Sequence, residues 1–345
     1  MGGYPGKKVI IMEDNIRISV KNLEKYFDIR GSFLESIFSR SKPRHLKAVD
    51  GISFDIKEGE IFGLVGESGC GKTTTGRLIM NTIKPTGGSI SFDGVDLSEI
   101  KSYEAQKELA LKMQMIFQDP YEYLSPWLNI QNTLAEPLQI HNLVDTEEEL
   151  LKRIHDVMEL VGLTPVEMIL PKYSYELSGG QRQRVVIARA LLLNPNFIVA
   201  DEPVSMLDVS IRVGILNLLL DLKEKFNMTS LFITHDIAVS RYMCDRIGVM
   251  YLGKIVEMGP TETIINNPVH PYTKALITAV PIPDPNIRVG DIPIEGKIPS
   301  NATDLPSGCR FHPRCPEAKE ECSSIHPELF EIEKDHFVAC NFFIE

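Results

Sequence analysis

The segment Gly66-Glu67-Ser68-Gly69-Cys70-Gly71-Lys72-Thr73 is the most informative stretch of this sequence. It fits the pattern G-x-x-x-x-G-K-[ST], follows the short apolar run from Ile61 to Val65 and precedes helical spacing from Thr73 to Ile83. Between a strand and a helix, such a loop turns its backbone N–H groups toward phosphate oxygens, and the helix N-terminus adds partial positive charge. The sequence therefore predicts a nucleoside triphosphate site, and the loop alone does not distinguish kinases, GTPases and ATPases.

Strands and helices alternate along the chain on both sides of this loop. Residues 16–20 and 52–56 alternate as half-buried strands do, and a basic, irregular insert from about Arg30 to Lys47 separates them. Downstream, Ser210 to Lys225 is a predicted helix, and the predicted strands are 197–200, 231–234 and 247–251. This order predicts an α/β fold with a mostly parallel sheet that helices cover on both faces.

Two regions interrupt the alternation. From about residue 120 to 190 the pattern becomes helical, and Glu147 to Leu160 is strongly amphipathic, so we predict an inserted helical subdomain there. Beyond Gly259 the sequence is poorly periodic and is interrupted by Pro268, Pro271, Pro281, Pro283, Pro285, Pro293 and Pro299. We place a domain boundary near residue 265, which gives a first domain of residues 1–265 and an extension of residues 266–345.

Composition argues against several classes of protein. The chain has 345 residues, of which 43% are hydrophobic, and its net charge of −11 is unfavourable for a protein that mainly holds nucleic acid. No apolar run approaches the roughly 18 to 20 residues of a membrane span. Val9 to Met12 is too short for a signal-peptide core, and Gly6 weakens a myristoylation motif at Met1-Gly2. We expect an acidic, cytosolic, globular protein that binds no nucleic acid.

A pair of acidic residues closes the predicted strand 197–200. Asp201 and Glu202 follow it directly. One carboxylate at such a strand end can hold Mg²⁺ through water, and the next can orient an attacking water molecule. Together with the phosphate loop, this pair favours hydrolysis of a nucleoside triphosphate.

The segment Leu177-Ser178-Gly179-Gly180-Gln181 is a second informative motif. Ser178 and Gln181 have the spacing of a helix capping box. Capping does not explain the two glycines, since each costs about 1 kcal/mol relative to alanine inside a helix. Glycine is useful where an anion must approach the helix N-terminus closely. A second such N-terminus in one chain has a purpose if it serves the nucleotide of another copy.

With its motifs in this order, the chain resembles the ATP-binding cassette (ABC) ATPases over roughly residues 14 to 260. Gln118 in Phe117-Gln118-Asp119-Pro120 matches the Q-loop of that family, Asp208 matches its D-loop, and His235 matches its switch histidine. The resemblance implies a P-loop (RecA-like) ATPase core in residues 1–265. It also implies that two ATPase domains pair head to tail, with each ATP between the phosphate loop of one domain and the Ser178–Gln181 segment of the other.

The resemblance further implies roles for single residues. Glu202 is expected to be the general base and His235 the sensor of the γ-phosphate, while Mg²⁺ is expected to be held by Thr73, Gln118 and Asp201. An aromatic side chain should stack on adenine: Phe27 fits the family's register, and Tyr26 would serve equally on chemical grounds. The remaining expected ATP contacts are Gly66, Ser68, Gly69, Cys70, Gly71, Lys72, Thr73, Thr74 and Gln118. The contacts expected with a partner's ATP are Ser178, Gly179, Gly180, Gln181 and Asp208.

The cysteines fall into two groups. Cys70 and Cys244 stand alone, and we expect the helix dipole to favour the thiolate of Cys70. The other four lie near the C-terminal end with spacings that match neither a zinc finger nor a ferredoxin: Cys309, Cys315, Cys322 and Cys340. In a reducing compartment disulfides are rare, so clustered thiols favour a metal. Their chemistry permits tetrahedral Zn²⁺, a [4Fe–4S] cluster or no metal at all.

Two segments of the extension narrow the resemblance. The segments from Asn267 to Leu276 and from Gly308 to Pro316 resemble the C-terminus of ATPase subunits of oligopeptide and dipeptide permeases. The insert before Ala48-Val49-Asp50-Gly51, together with Cys70, resembles the F-type subunit of that family. That resemblance implies a [4Fe–4S] cluster of structural rather than redox function. Because the extension is distant from the phosphate loop in sequence, we expect basal ATP hydrolysis to survive loss of this cluster.

The resemblance to permease ATPases also implies partners. They are a D-type paralogue or a second copy of the chain, two membrane-spanning permease subunits and an extracytoplasmic substrate-binding protein. The chain would then sit on the cytoplasmic face of the membrane and power the import of oligopeptides or dipeptides, with oligosaccharides or nickel as alternative cargo. Two other classes are less consistent with the motifs: a soluble ABC ATPase outside transport, and a redox-sensing regulator.

Overall fold

In the computed structural model, residues 15–29, 44–279 and 305–343 are described. Most of the predicted basic insert and the prolines from 281 to 299 lie outside these residues. The strands are β1 (Ile16–Ile29), β2 (Arg44–Lys57), β3 (Ile61–Val65), β4 (Gly87–Phe92), β5 (Val95–Asp96), β6 (Met113–Ile116), β7 (Phe197–Asp201), β8 (Thr229–Thr234), β9 (Arg246–Tyr251), β10 (Lys254–Pro260), β11 (Phe330–Glu333) and β12 (His336–Val338).

The helices connect these strands and cover the sheet. They are α1 (Lys72–Ile79), α2 (Tyr103–Lys112), α3 (Pro120–Tyr123), α4 (Ile130–Ile140), α5 (Glu147–Leu160), α6 (Val166–Ile169), α7 (Gly179–Leu191), α8 (Val209–Phe226), α9 (Ile237–Met243), α10 (Thr261–Asn266) and α11 (Pro271–Thr278). Short 3₁₀ turns occupy Ser174–Glu176, His312–Arg314, Glu320–Ser323 and Asn341–Phe343. None of the helices in the described ranges is long and apolar enough to cross a bilayer.

The larger sheet has eight strands in the order β11-β12-β10-β9-β3-β8-β7-β6. Strands β9, β3, β8, β7 and β6 run parallel, whereas β10, β12 and β11 are added antiparallel at one edge. The α/β prediction is therefore confirmed, with an antiparallel edge that the sequence pattern did not indicate. The carboxyl ends of the parallel strands share one edge, and that edge is where the phosphate loop and the Asp201-Glu202 pair emerge.

Both faces of this sheet are buried, as the apolar runs predict. In β8, Leu231 and Ile233 pack into the hydrophobic cluster on one face, and Phe232 packs into the cluster on the other. The same alternation occurs in β7, where Phe197 and Val199 face one cluster and Ile198 and Ala200 face the opposite one. A strand buried on both faces is hydrophobic at every position, which explains why these runs do not alternate in polarity.

A separate four-stranded antiparallel sheet has the order β2-β1-β4-β5. The prediction placed β1 and β2 correctly but made both too short. Polar residues near the strand ends break the alternation of apolar and polar positions, so the pattern does not show where each strand ends. The inner side of this sheet supplies Ile18, Val20 and Phe54 to the core beneath α1. The sheet thus holds the loop and α1 from the side opposite the parallel sheet's helices.

The helical segment predicted for residues 120–190 is confirmed as α3 to α7, which are inserted between the neighbouring strands β6 and β7. The amphipathic helix occupies the predicted residues, Glu147–Leu160, and the Thr146 hydroxyl caps it by accepting the N–H of Glu149. Helix α1 ends at Ile79, earlier than the predicted Ile83. Two residues later Asn81 adopts a left-handed conformation with φ of 56°, which a right-handed helix cannot contain.

The C-terminal extension pairs with and packs against the first domain. Strand β12 pairs with β10, so the hairpin β11–β12 continues the main sheet. Tyr272 of α11 is fully buried, with its ring 4.7 Å from that of Tyr251 and 5.4 Å from that of Phe311. The division near residue 265 stays a prediction, and the two parts share one sheet and one apolar cluster.

Candidate functional site

The phosphate loop joins β3 to α1, as predicted. Gly71 has φ of 112°, and a Cβ atom there would lie 2.2 Å from the carbonyl oxygen of Ala48, so the position requires glycine. The Lys72 side chain is buried and folds back over the loop, where its Nζ donates to the carbonyl oxygens of Gly66 at 2.7 Å and Glu67 at 3.0 Å. A cation held against the loop in this way faces the position where its N–H groups would hold phosphate oxygens.

The loop meets the end of β7 through a side-chain hydrogen bond. The Thr73 hydroxyl donates to Asp201 Oδ1 at 3.1 Å. Burial raises the pKa of the Asp201 carboxyl, the Thr73 bond opposes that shift, and the negative charge of Glu202 adds to it. A hydroxyl and a carboxylate at this distance, beside a buried lysine, form the oxygen ligand set that Mg²⁺ prefers.

Glu202 lies at the centre of a second group. Its Oε2 accepts a hydrogen bond from Gln118 Nε2 at 3.1 Å and lies 3.1 Å from His235 Nδ1. The Glu202 backbone has φ of 47°, which is unusual for a residue with a side chain. Residues held in such a conformation concentrate at functional sites. The three predicted side chains follow the ends of β6, β7 and β8 and are thus brought together at one sheet edge.

A cavity of about 730 Å³ connects these groups. The predicted residues that line it are Phe27, Ser68, Gly69, Gly71, Lys72, Thr73, Thr74, Gln118, Glu202 and His235. The sequence interpretation missed several apolar lining residues, among them Leu252, Leu276 and Leu305. Leu252 lies in the turn between β9 and β10, where no motif marks it, while Leu276 of α11 and Leu305 belong to the C-terminal extension.

The two candidate adenine-stacking residues have different surroundings. Phe27 lines the cavity and is 39% exposed. The Tyr26 hydroxyl instead donates to the carboxylate of Asp50, and burial together with that bond raises the pKa of Tyr26. Tyr26 is therefore engaged by its neighbour in β2, whereas the Phe27 ring is available to a planar ligand.

The Ser178–Gln181 segment forms the capping box that its spacing predicts. The Ser178 hydroxyl accepts the N–H of Gln181, and the Gln181 side chain accepts the N–H of Ser178. Neither this segment nor Asp208 lines the 730 Å³ cavity. For Gly180 a packing reason was missed, since a Cβ there would lie 2.5 Å from Ile211 Cγ2. Gly179 has only an ordinary contact, so packing does not require glycine at that position.

The expected reactivity of Cys70 is contradicted by its surroundings. Its side chain is 3% exposed and belongs to the core beneath the loop. Burial raises the pKa of the Cys70 thiol, and the nearby Lys72 ammonium offsets this only in part. Burial therefore favours the neutral thiol over the expected thiolate. Cys70 is also missing from the residues that line the cavity, although it was expected among the ATP contacts.

The four C-terminal thiols are free and lie near enough to one another for their charges to interact. Burial raises the pKa of Cys315 to about 11, with further contributions from Cys309 and Cys340. Within the described ranges, no group of three or more His, Cys, Asp and Glu side chains is arranged to hold a metal ion. This arrangement does not support the predicted metal site, whether zinc or iron–sulfur.

The histidines near these thiols have other partners. His336 Nε2 lies 2.9 Å from Glu257 Oε1, and both side chains are buried. His312 Nδ1 lies 2.8 Å from the carbonyl oxygen of Cys309. Both contacts direct these imidazoles toward oxygen atoms of the protein.

The C-terminal extension contacts the phosphate loop directly, which its distance along the chain did not indicate. Arg314 forms an ion pair with Glu67 of the loop, and the Tyr272 hydroxyl accepts the N–H of Glu67 at 3.0 Å. Separation in sequence was a poor guide because the extension returns to the core as part of the main sheet.

Two family models match parts of this chain. A family model described as "ABC transporter" matches residues 49–205, and one described as "Oligopeptide/dipeptide transporter, C-terminal region" matches residues 256–322. The chain is 44% identical to the oligopeptide transport ATP-binding protein AppF of Bacillus subtilis over 328 residues, which are 94% of this chain and 97% of AppF. It is 50% identical to the oligopeptide transport ATP-binding protein OppF of the same organism over 241 residues, which are 70% of this chain and 78% of OppF.

A solved structure extends the comparison to the fold. The ATP-binding cassette MJ0796, in a dimeric post-hydrolysis state bound to ADP and Pi, matches with a TM-score of 0.61 and 30% identity. The match covers 71% of this chain and 98% of the cassette.

Proposed function

Since this chain belongs to the ATP-binding subunits of ABC transporters, within the oligopeptide and dipeptide branch, we propose that it hydrolyses ATP to power peptide import. One observation carries the proposal. Gln118, Glu202 and His235 meet at the edge of the sheet where Lys72 and Thr73 also lie, around a single cavity. Phosphoryl transfer to water needs this kind of positioning and charge neutralisation more than covalent chemistry.

The phosphate loop binds the nucleotide in this proposal. Phe27 stacks on adenine, and the backbone N–H groups from Ser68 to Thr74 face the phosphates. Lys72 exchanges its carbonyl partners in the loop for the β- and γ-phosphate oxygens. Mg²⁺ fits Thr73 and Asp201, with Gln118 close by, and would neutralise developing negative charge on the phosphates.

Glu202 is the general base for the attacking water. Its Oε2 is held between Gln118 and His235, so the carboxylate has one fixed orientation toward the cavity. His235 is more exposed than Glu202, and its second ring nitrogen can contact the γ-phosphate. Because His235 contacts the Oε2 atom of Glu202, binding of the γ-phosphate by His235 would also fix the position of the general base.

A second ATPase domain completes each site. The Ser178–Gln181 segment and Asp208 lie outside the chain's own cavity, which supports a role toward a partner's ATP. Next to Asp208, large apolar side chains are exposed: Met206 is 63% exposed, Val209 75% and Val213 50%. An exposed apolar patch beside a polar motif is typical of a surface that another protein covers. The partner is a D-type paralogue or a second copy of this chain.

The transporter partners are two membrane-spanning permease subunits on whose cytoplasmic face the chain sits. In this proposal the permease subunits supply the translocation path. An extracytoplasmic substrate-binding protein would deliver the cargo, with oligosaccharides or nickel as alternatives to peptides.

We propose a [4Fe–4S] cluster at the four thiols on the chemistry of the donor set alone, because the described side chains show no group arranged around a single ion. Burial raises the pKa of Cys309, Cys315 and Cys340, and the nearby backbone N–H groups of Phe311, Glu317 and Phe342 oppose that shift, as donors around cluster thiolates do. A cubane separates its ligand sulfurs, whereas tetrahedral Zn²⁺ draws all four to about 2.3 Å from one ion. Such a cluster would cross-link the extension and take no part in ATP chemistry.

Co-purification from membranes tests the transport function. A tagged copy of the chain is expected to retain two integral membrane proteins, and ATP hydrolysis by that complex is expected to rise when peptide-loaded binding protein is added. A soluble ABC ATPase or a redox regulator would purify without integral membrane proteins. Hydrolysis stimulated by a sugar-loaded or nickel-loaded binding protein alone would keep the mechanism and change the cargo.

A further inference from the structure

An arginine of the C-terminal extension forms an ion pair with the phosphate loop. Arg314 Nη1 donates to Glu67 Oε2 at 2.9 Å, and Arg314 Nη2 donates to Glu67 Oε1 at 3.1 Å. The two residues are 247 positions apart, and Glu67 is the first variable residue of the loop. Paired bonds between a planar guanidinium and a carboxylate fix the relative orientation of both groups as well as their distance.

Burial and aromatic contacts keep Arg314 in place. Its side chain is 8% exposed and lies over the rings of Tyr251 and Phe311, at 5.7 Å and 6.0 Å from their centroids. Nη1 also donates to the Tyr251 hydroxyl at 3.4 Å. A guanidinium shielded from water in this way interacts more strongly with its carboxylate than a solvated surface pair does.

Glu67 transmits this contact to the nucleotide-binding atoms. Its N–H donates to the Tyr272 hydroxyl at 3.0 Å, so the extension holds both its backbone and its side chain. Its carbonyl oxygen accepts Lys72 Nζ at 3.0 Å and the N–H of Cys70 at 3.3 Å. The extension therefore positions Glu67, whose carbonyl oxygen contacts the phosphate-binding lysine.

We propose that Arg314 is a positioning residue for ATP binding: by holding Glu67, it pre-orders the phosphate loop. This rests on the nucleotide role proposed for the loop. Arg314 itself does not line the cavity, so it acts through Glu67 and not by touching ATP. A pre-ordered loop loses less conformational entropy when ATP binds. Removing the Arg314 side chain should therefore weaken ATP affinity rather than slow the chemical step.

Arg314→Gln tests the proposal, with Arg241→Gln as the matched control. Arg241 also forms a two-bond pair, in which its Nε and Nη2 donate to the Glu262 carboxylate, and that pair is on the surface. We expect Arg314→Gln to raise the Kd for MgATP of the purified chain by about tenfold or more, since it removes two charge-assisted bonds. In the assembled transporter, KM for ATP should rise while kcat at saturating ATP changes by less than about twofold. Arg241→Gln should change neither quantity.

Hydrogen exchange separates positioning from a general loss of stability. Amides of the peptide containing residues 66–72 should exchange faster in Arg314→Gln than in the unaltered chain, while amides of β8, in the centre of the sheet, should not. Arg314→Lys keeps the charge and loses the paired geometry, so it should restore less than half of the lost affinity. An unchanged Kd in a folded Arg314→Gln chain would overturn the proposal.

Glu67→Gln probes the same contact from the loop and decides the question if Arg314→Gln does not fold. It should weaken MgATP binding and speed loop exchange as Arg314→Gln does; unchanged binding overturns the inference. Failure of the proposed ATPase function looks different, because the unaltered chain would then not bind MgATP at all.

Discussion

The Thr73 hydroxyl donates a hydrogen bond to Asp201 Oδ1 at 3.1 Å, joining residues 128 positions apart in the sequence. Thr73 stands in the first turn of α1, and Asp201 is the last residue of β7. The parallel sheet makes this contact possible, because β3 and β7 flank β8 and end at the same edge. The bond places two oxygen ligands beside Lys72, which is the arrangement that the proposed Mg²⁺ site needs.

Thr73→Ala tests that site. Removing the hydroxyl takes away one ligand, so Mg²⁺ should no longer tighten ATP binding, and the Kd measured with Mg²⁺ should rise by about tenfold. The Kd measured in EDTA should be unchanged. Thr73→Ser keeps the oxygen and should behave as the unaltered chain does. Equal Mg²⁺ dependence in Thr73→Ala and Thr73→Ser would contradict the ligand assignment.

Ser178→Arg tests the contribution to a partner's site. The side chain is exposed and outside the chain's own cavity, so the isolated chain should bind ATP with an unchanged Kd. In a mixed dimer with one altered subunit, ATP turnover should be lost at the phosphate loop of the other subunit. A collapse of ATP affinity in the isolated monomer would contradict the assignment in trans.

Alkylation of Cys70 tests whether its thiol is buried and neutral in the folded chain. Because burial raises the pKa of this thiol, the folded state favours its protonated form, and a small stabilising contribution is lost as pH rises above the ordinary thiol pKa. Mass spectrometry of the loop peptide should show slow labelling by iodoacetamide at neutral pH. Labelling as fast as that of a thiol in the unfolded chain would restore the reactive-thiolate interpretation.

Replacing Cys322 by Ser tests the proposed cluster. Purified without oxygen, the unaltered chain should be brown and contain about four iron atoms, as a cubane on four thiolates implies. Cys322→Ser should lose the colour, and proteolysis of residues 305–343 should become faster because the cross-link is lost. Cys244→Ala, at a buried thiol remote in sequence, should keep the iron. A colourless unaltered chain with one zinc would exclude iron and keep a structural metal.

Much of the candidate site could be predicted from the sequence, since short motifs indicate local backbone geometry. The loop, the Asp201-Glu202 pair and His235 each follow a buried strand, and parallel strands bring such ends together. The C-terminal contribution could not be predicted, because pairing of β12 with β10 and the reach of Arg314 to Glu67 are long-range contacts without a local signal. Cys70 was misjudged because the helix dipole is visible in a sequence and burial is not.

The measurement that tests the central claim most directly is ATP turnover by Glu202→Gln in the assembled complex. Glutamine keeps the shape of the side chain and can still contact Gln118 and His235, but it cannot accept a proton from water. We expect unchanged ATP affinity, a stable nucleotide-bound pair of ATPase domains and turnover reduced by a factor of about 10² to 10⁴. Hydrolysis near the rate of the unaltered chain would contradict the account.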